Sequence, residues 1–186
     1  YIASSDTYIE KDSKINEEID RLRHAATSAL LTRRDTIIVA SVSCIYGIGS
    51  PSDYQEMSIM VKKGEKRRQD KFLRWLSDIQ YQRNDIDFHR GTFRVKGDVV
   101  DIMPAGSDYA YRIEFFGDEI DRITTIDPLT GEILAEPNSI NIFPSSHYVT
   151  PKAKVERAVE QIKHEYEERM EYFESNNKLL EAQRLA

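Results

Sequence analysis

Thr92-Phe93-Arg94-Val95-Lys96-Gly97-Asp98-Val99-Val100-Asp101-Ile102 is the stretch that decides the fold. Phe93 and Val95 alternate with Arg94 and Lys96, the period of a strand with one buried face. Gly97-Asp98 is a two-residue hairpin signal, and Val100 and Ile102 continue on the return strand. The design then recurs. Tyr111, Ile113 and Phe115 alternate with Arg112, Glu114 and Phe116, Gly117-Asp118 turns the chain, and Ile120, Arg122 and Ile126 follow. This predicts a small antiparallel meander with an apolar face and a charged face, the apolar one covered by the helices that precede it.

Downstream, Pro128-Leu129-Thr130-Gly131 predicts a further hairpin, and Ile140, Ile142 and Phe143 a last strand. Thr150 as N-cap and Pro151 at the first helical position open a helix of about 35 residues with no Gly or Pro stop, along which Val155, Val159, Ile162, Tyr166, Met170 and Phe173 form an apolar stripe. Upstream, a helix is expected over about 66–80, burying Phe72, Trp75, Leu76 and Ile79 behind a basic turn of Lys62, Lys63, Lys66, Arg67 and Arg68. Glycines at 47 and 49 and Pro51 interrupt regular structure before a helix starting near Ser50 or Ser52. Thr36 to Val42 is a continuous β-branched run that reads as a strand covered on both faces in a parallel sheet. Before it, Ile15, Ile19, Leu22, Ala26, Ala29 and Leu30 recur at helical spacing from Ser13, and residues 1–9 read as strand, turn, strand or as one side of a longer hairpin.

The expected fold is therefore mixed α+β and α/β. Residues 1–56 make part of an α/β core, 57–149 an inserted meander with its covering helices, and 150–186 a long helix returning to that core. Both ends read as cut from a longer chain.

With 186 residues and 40% apolar content, the chain can bury a normal core. The single cysteine, Cys44, excludes an internal disulfide and any multi-cysteine zinc site, and suits a reducing, cytoplasmic compartment. His24, His89, His147 and His164 show no ligand spacing, so no metal is expected. The net charge of −6 argues against indiscriminate coating of nucleic acid, which needs a broad basic surface. No phosphate loop, zinc-protease or nucleophile-elbow motif is present, and no catalytic residue is assigned.

Two features remain. Arg94, Lys96, Arg112 and Glu114 would project together from adjacent strands, either to dock a protein partner through the bidentate fork of arginine or as a solvated face laced with ion pairs. Tyr1 and Tyr8, with Lys11 and Arg23 nearby, suit base stacking and phosphate contact, and the hydroxyls of Ser41 and Ser43 could meet a phosphate or cap a helix.

Several blocks together resemble one family. These are Ser4-Ser5-Asp6-Thr7-Tyr8-Ile9-Glu10-Lys11-Asp12, Val39-Ala40-Ser41-Val42-Ser43-Cys44-Ile45-Tyr46-Gly47, Gln80-Tyr81-Gln82-Arg83-Asn84-Asp85, Arg90-Gly91-Thr92-Phe93-Arg94-Val95-Lys96-Gly97-Asp98, His147-Tyr148-Val149-Thr150 and Asn177-Lys178-Leu179-Leu180-Glu181-Ala182-Gln183-Arg184-Leu185. They are similar to UvrB, the damage-verifying subunit of the bacterial nucleotide excision repair excinuclease. The transcription-repair coupling factor shares a related meander but not the first and last blocks. The resemblance implies a helicase-like ATPase whose ATP and Mg sites lie outside this stretch, so that no cofactor and no ATPase activity are expected here. It implies UvrA docking through Arg83, Arg94, Lys96, Arg112 and Glu114, with Lys96 standing where arginine is usual. It further implies contact with damaged DNA at Tyr1, Tyr8, Lys11, Arg23, Ser41 and Ser43, and with UvrC through the parent complex.

Overall fold

In the computed structural model, two-residue turns set the register of the central sheet, as the alternation requires. The structure describes residues 17–45 and 49–186, so the expectations for Tyr1, Tyr8, Lys11, the Ser13 cap and the first strands lie outside the described residues. Gly97 takes φ 60° and Gly117 φ 61° while the aspartate after each keeps a negative φ, which suits a hairpin turn with glycine at its first central position. Those turns pair Lys96 with Val99 and Phe116 with Glu119.

Six strands follow one another in a single sheet: β2 (Gln82–Arg83), β3 (Thr92–Lys96), β4 (Val99–Met103), β5 (Ala110–Phe116), β6 (Glu119–Ile126) and β7 (Ile133–Ala135). All neighbours are antiparallel except β2 and β3. The third hairpin forms as expected, with Gly131 at φ 76°. The last strand, β8 (Ser139–Ile142), leaves the meander and pairs with β1 (Ile59–Lys62) in a separate two-stranded ladder. One helix, α3 (Gln69–Asp78), lies over the apolar side of the sheet, where Phe72, Leu76 and Ile79 join Phe93, Val100, Ile102, Ile113, Phe115, Ile120 and Ile123 in one core.

Several sequence expectations are corrected. The helix over 66–80 starts only at Gln69, because Lys66 is held in a bridge to Glu119 and Arg67 N–H donates to the Asp118 carbonyl, which keeps this backbone extended. Trp75 is half-buried there, not buried.

The expected buried strand over Thr36–Val42 does not form. Thr36 to Ala40 has no regular structure, Ile37 and Val39 are 91% and 95% exposed, and Val42–Ile45 makes one 3-10 turn. A β-branched run becomes a strand only with neighbours on its edges, and no described strand lies beside it. The same reasoning applies to α1 (Glu17–Thr32): Ile19, Leu22 and Leu30 of its apolar face are exposed, and the residue it buries is His24.

The side of α1 that carries His24 meets the loop after β4. A Cβ on Gly106 would stand 2.7 Å from the Ala25 nitrogen and 3.0 Å from the His24 carbonyl carbon. Gly106→Ala is therefore expected to lever α1 away and cost about 1–3 kcal/mol, the usual range for overpacking. Faster amide exchange of α1 with an unchanged sheet would show it, and protection equal to the parent would contradict it.

Residues 149–186 form a second compact unit. The single long helix expected there is two: α4 (Lys152–Ser175) and α5 (Leu179–Leu185), following a short α2 (Pro51–Glu56) earlier in the chain. Asn177 adopts φ 59°, its N–H donates to the Glu174 carbonyl and that of Lys178 to Phe173. This is a Schellman ending with asparagine in the place glycine usually holds. α3 ends in the same way at Gln80, φ 74°. Among the described residues no helix is long and apolar enough to cross a membrane.

Candidate functional site

The charged face of the sheet is ordered in three rows by the strand register. Lys96, Val99, Glu114 and Arg122 stand side by side in the outer row, and Arg94, Asp101, Arg112 and Thr124 in the next. The third row is apolar, with Met103, Ala110 and Ile126 in a small cluster closed by Phe88 from the loop after β2. Ile126 reaches this side because Asp121 is an extra residue opposite Glu114 and Phe115, and the bulge moves the end of β6 across the pleat.

Asp101 is the centre of the face. It is 3% exposed and accepts Arg112 Nε at 2.7 Å and Arg112 Nη2 at 2.9 Å, one on each oxygen, with Arg94 Nε at 2.9 Å on the second oxygen. Burial alone would raise its pKa. Hydrogen bonds from Arg112 and Arg94, with their charges, outweigh burial and hold it below the ordinary carboxylate value. The same bond raises the pKa of Arg112. Arg94 also lies over the Phe88 ring, 4.3 Å from its centroid, so the charged and apolar rows brace each other.

Four of the five sequence-predicted docking residues thus come together, since Arg94, Lys96, Arg112 and Glu114 line one shallow concavity with Val99 and Asp101. Lys96 is exposed and has no ion-pair partner among the described residues. Arg83 stands apart. It pairs with Phe93 on the edge strand, out of phase with Arg94, and binds Asp85 at 3.0 Å.

Sequence reasoning did not single out Asp101, Arg122 or Glu136. Arg122 contacts Glu114 at 4.0 Å and Glu136 at 2.8 Å, and Glu136 reaches Lys63 at 3.7 Å, extending the outer row of charge across the sheet. The signal for Asp101 was in the chain: a two-residue turn that pairs Lys96 with Val99 necessarily pairs Arg94 with Asp101.

Of the DNA-contact expectations, Arg23 is half-buried on α1, with its Nε buried and without a hydrogen-bond partner. Ser41 is exposed beside the 3-10 turn, and the side chain of Ser43 lies outside the description.

A second cluster joins residues whose separation in sequence hid them. The rings of His24 and His147 stack at 3.8 Å, and Asp20 and Tyr54 complete the group. Burial is the main cause lowering both histidines, with His147 the next for His24 and Arg23 the next for His147; His24 falls to about 4, so both rings are neutral at pH 7. The histidines show no ligand spacing along the chain, and the juxtaposition of His24 with His147 arises only in the tertiary structure.

The sequence model of the UvrB interaction domain matches residues 59–148, and that of the UvrB third helical domain matches 153–186. Among curated relatives, UvrABC system protein B of Chloroflexus aggregans is 57% identical over 185 residues, and those of Natranaerobius thermophilus and Geobacillus kaustophilus are 58% identical over 186. Each comparison covers the whole of this chain and 28% of the relative, so the chain spans about a quarter of the length of the proteins it matches.

Proposed function

The chain belongs to the UvrB family, and from that premise we propose that it serves nucleotide excision repair by docking UvrA through the charged face of its sheet. The observation that carries this reading is the Arg94–Asp101–Arg112 clamp. A carboxylate satisfied from both sides fixes two guanidinium groups in the plane of the face, and their remaining N–H donors, with Lys96, Glu114 and Arg122 beside them, form a prearranged pattern of charge. Fixing side chains in advance lowers the entropy cost of association, and complementary charge speeds encounter and rejects wrong partners. In this reading ATP and Mg are bound in the part of the relatives beyond the 28% matched here, and damaged DNA and UvrC are met by the assembled protein.

The clamp dictates which residues test the proposal. Reversing charge at Arg94 or Arg112 would strand the buried Asp101 carboxylate and confuse lost binding with lost folding. Lys96 and Arg122 do not touch Asp101. The double variant Lys96→Glu, Arg122→Glu is expected to weaken retention of the chain on immobilised UvrA at least ~tenfold, with the circular dichroism spectrum unchanged and stability lowered by only about 1 kcal/mol through loss of the exposed Arg122 pairs. Parental binding by a folded double variant would refute this face as the docking surface.

A further inference from the structure

We propose that Asp20, His24 and His147 form a binding site for one divalent transition-metal ion of the zinc or cobalt type. One ligand atom from each of the three lies within 4.8 Å of the other two, and both histidines are buried. Ligand atoms around a tetrahedral ion with bonds of about 2.0–2.2 Å are roughly 3.2–3.6 Å apart, so closure requires movements of about 1 Å. The rings are stacked, 25° from parallel, so their in-plane lone pairs meet at one ion only after one imidazole rotates about its side-chain torsions.

The hydrogen bonds around the cluster decide which nitrogens are available. The Tyr54 hydroxyl donates to the Pro144 carbonyl at 3.2 Å, so at 3.3 Å from His24 Nδ1 it accepts the proton that nitrogen carries. Thr27 Oγ1 donates to the Arg23 carbonyl at 3.0 Å and therefore accepts from His147 Nε2 at 3.1 Å. Each neutral ring thus spends its one N–H on a hydroxyl anchored to the backbone, leaving a lone pair on its other nitrogen. This is the arrangement that orients metal-ligating histidines. His24 Nε2 then directs its lone pair at Asp20 Oδ2, 3.6 Å away, with no proton left to place between them. A cation removes that opposition.

Two imidazole nitrogens and one carboxylate select an ion with nitrogen affinity over Mg or Ca, which take oxygen ligands. Arg23, on the same helix and with its Nε unpartnered, opposes any cation by charge, so directional bonds to nitrogen must carry the affinity. The Asp20 side chain is 39% exposed, which gives water access to the remaining coordination positions.

Titration of the chelator-treated chain with Co2+, followed by visible absorption, tests this. The expected result is one equivalent bound, displaced by Zn2+ and not by Mg2+. Asp20→Asn and His147→Gln weaken binding at least ~tenfold, and Thr27→Val, which frees the His147 ring, weakens it ~10–100-fold. His164→Gln, whose imidazole pairs with Glu168 on α4, leaves it unchanged. Absence of a saturable cobalt spectrum overturns the proposal, and so does binding that survives Asp20→Asn or is lost with His164→Gln. Should His147→Gln fail to fold, Asp20→Asn at the partly exposed carboxylate decides the matter alone.

Discussion

Arg112→Ala is expected to destabilise the chain by about 3–5 kcal/mol, because it removes two of the three hydrogen bonds to a carboxylate that is 3% exposed and leaves that charge without adequate compensation. Urea unfolding followed by circular dichroism measures it. Arg94→Ala removes one bond and should cost less, and neither loss is additive with Asp101→Asn, since all three changes act on one charge. In the Asp101→Asn background the effect of Arg112→Ala should fall well below its value in the parent. Equal losses in the two backgrounds would show that Arg112 acts through packing and not through Asp101.

The pH dependence has a definite sign. The folded pKa of Asp101 lies below its ordinary value, so its contribution is fully present above the unfolded carboxylate value of about 4 and is lost as pH falls through the depressed folded value. The stability difference between parent and Asp101→Asn is therefore expected to be constant from neutral pH down to about 4 and to shrink below it. A difference that changes between pH 5 and 7 would assign the dependence to another group.

What was legible in the sequence is what local rules control. Gly97-Asp98 and Gly117-Asp118 fix both turn and register, and register fixes which side chains share a face, so Arg94, Lys96, Arg112 and Glu114 could be grouped before any coordinates. The bulge at Asp121 left a fainter mark: the core-facing Ile120 and Ile123 stand three residues apart with Asp121 and Arg122 between them, a break in alternation that does not say which residue is extra. Asn177 and Gln80 end their helices in a left-handed conformation that glycine usually supplies, so the stops carried no glycine signal. The run over Thr36–Val42 failed for the opposite reason: its composition states a propensity for strand, and among the described residues no strand lies beside it to accept its hydrogen bonds. His24 lies on α1 and His147 in the bend that follows β8, so their stacking is set by how these two segments dock and not by local pattern.

The remaining large effect concerns the core that holds the docking face in place. Phe72 is 1% exposed, lies 5.8 Å from Trp75 and 5.7 Å from Phe115 between ring centroids, and is the point at which α3 enters the sheet. Phe72→Ala is expected to cost about 3–5 kcal/mol through lost transfer energy and the cavity left behind. Because Trp75 is the only tryptophan, its emission should shift as the neighbouring ring disappears, giving a local probe beside the global unfolding curve. The charged face lies on the opposite side of the same strands, and its rows are set by strand pairing and not by α3. Where the variant remains folded, its retention on UvrA should equal that of the parent, while the Lys96→Glu, Arg122→Glu double variant shows the reverse pattern, a small loss of stability and weakened binding. Loss of retention in folded Phe72→Ala would mean that α3 helps form the docking surface, and would move the proposed interface from one side of the sheet to both.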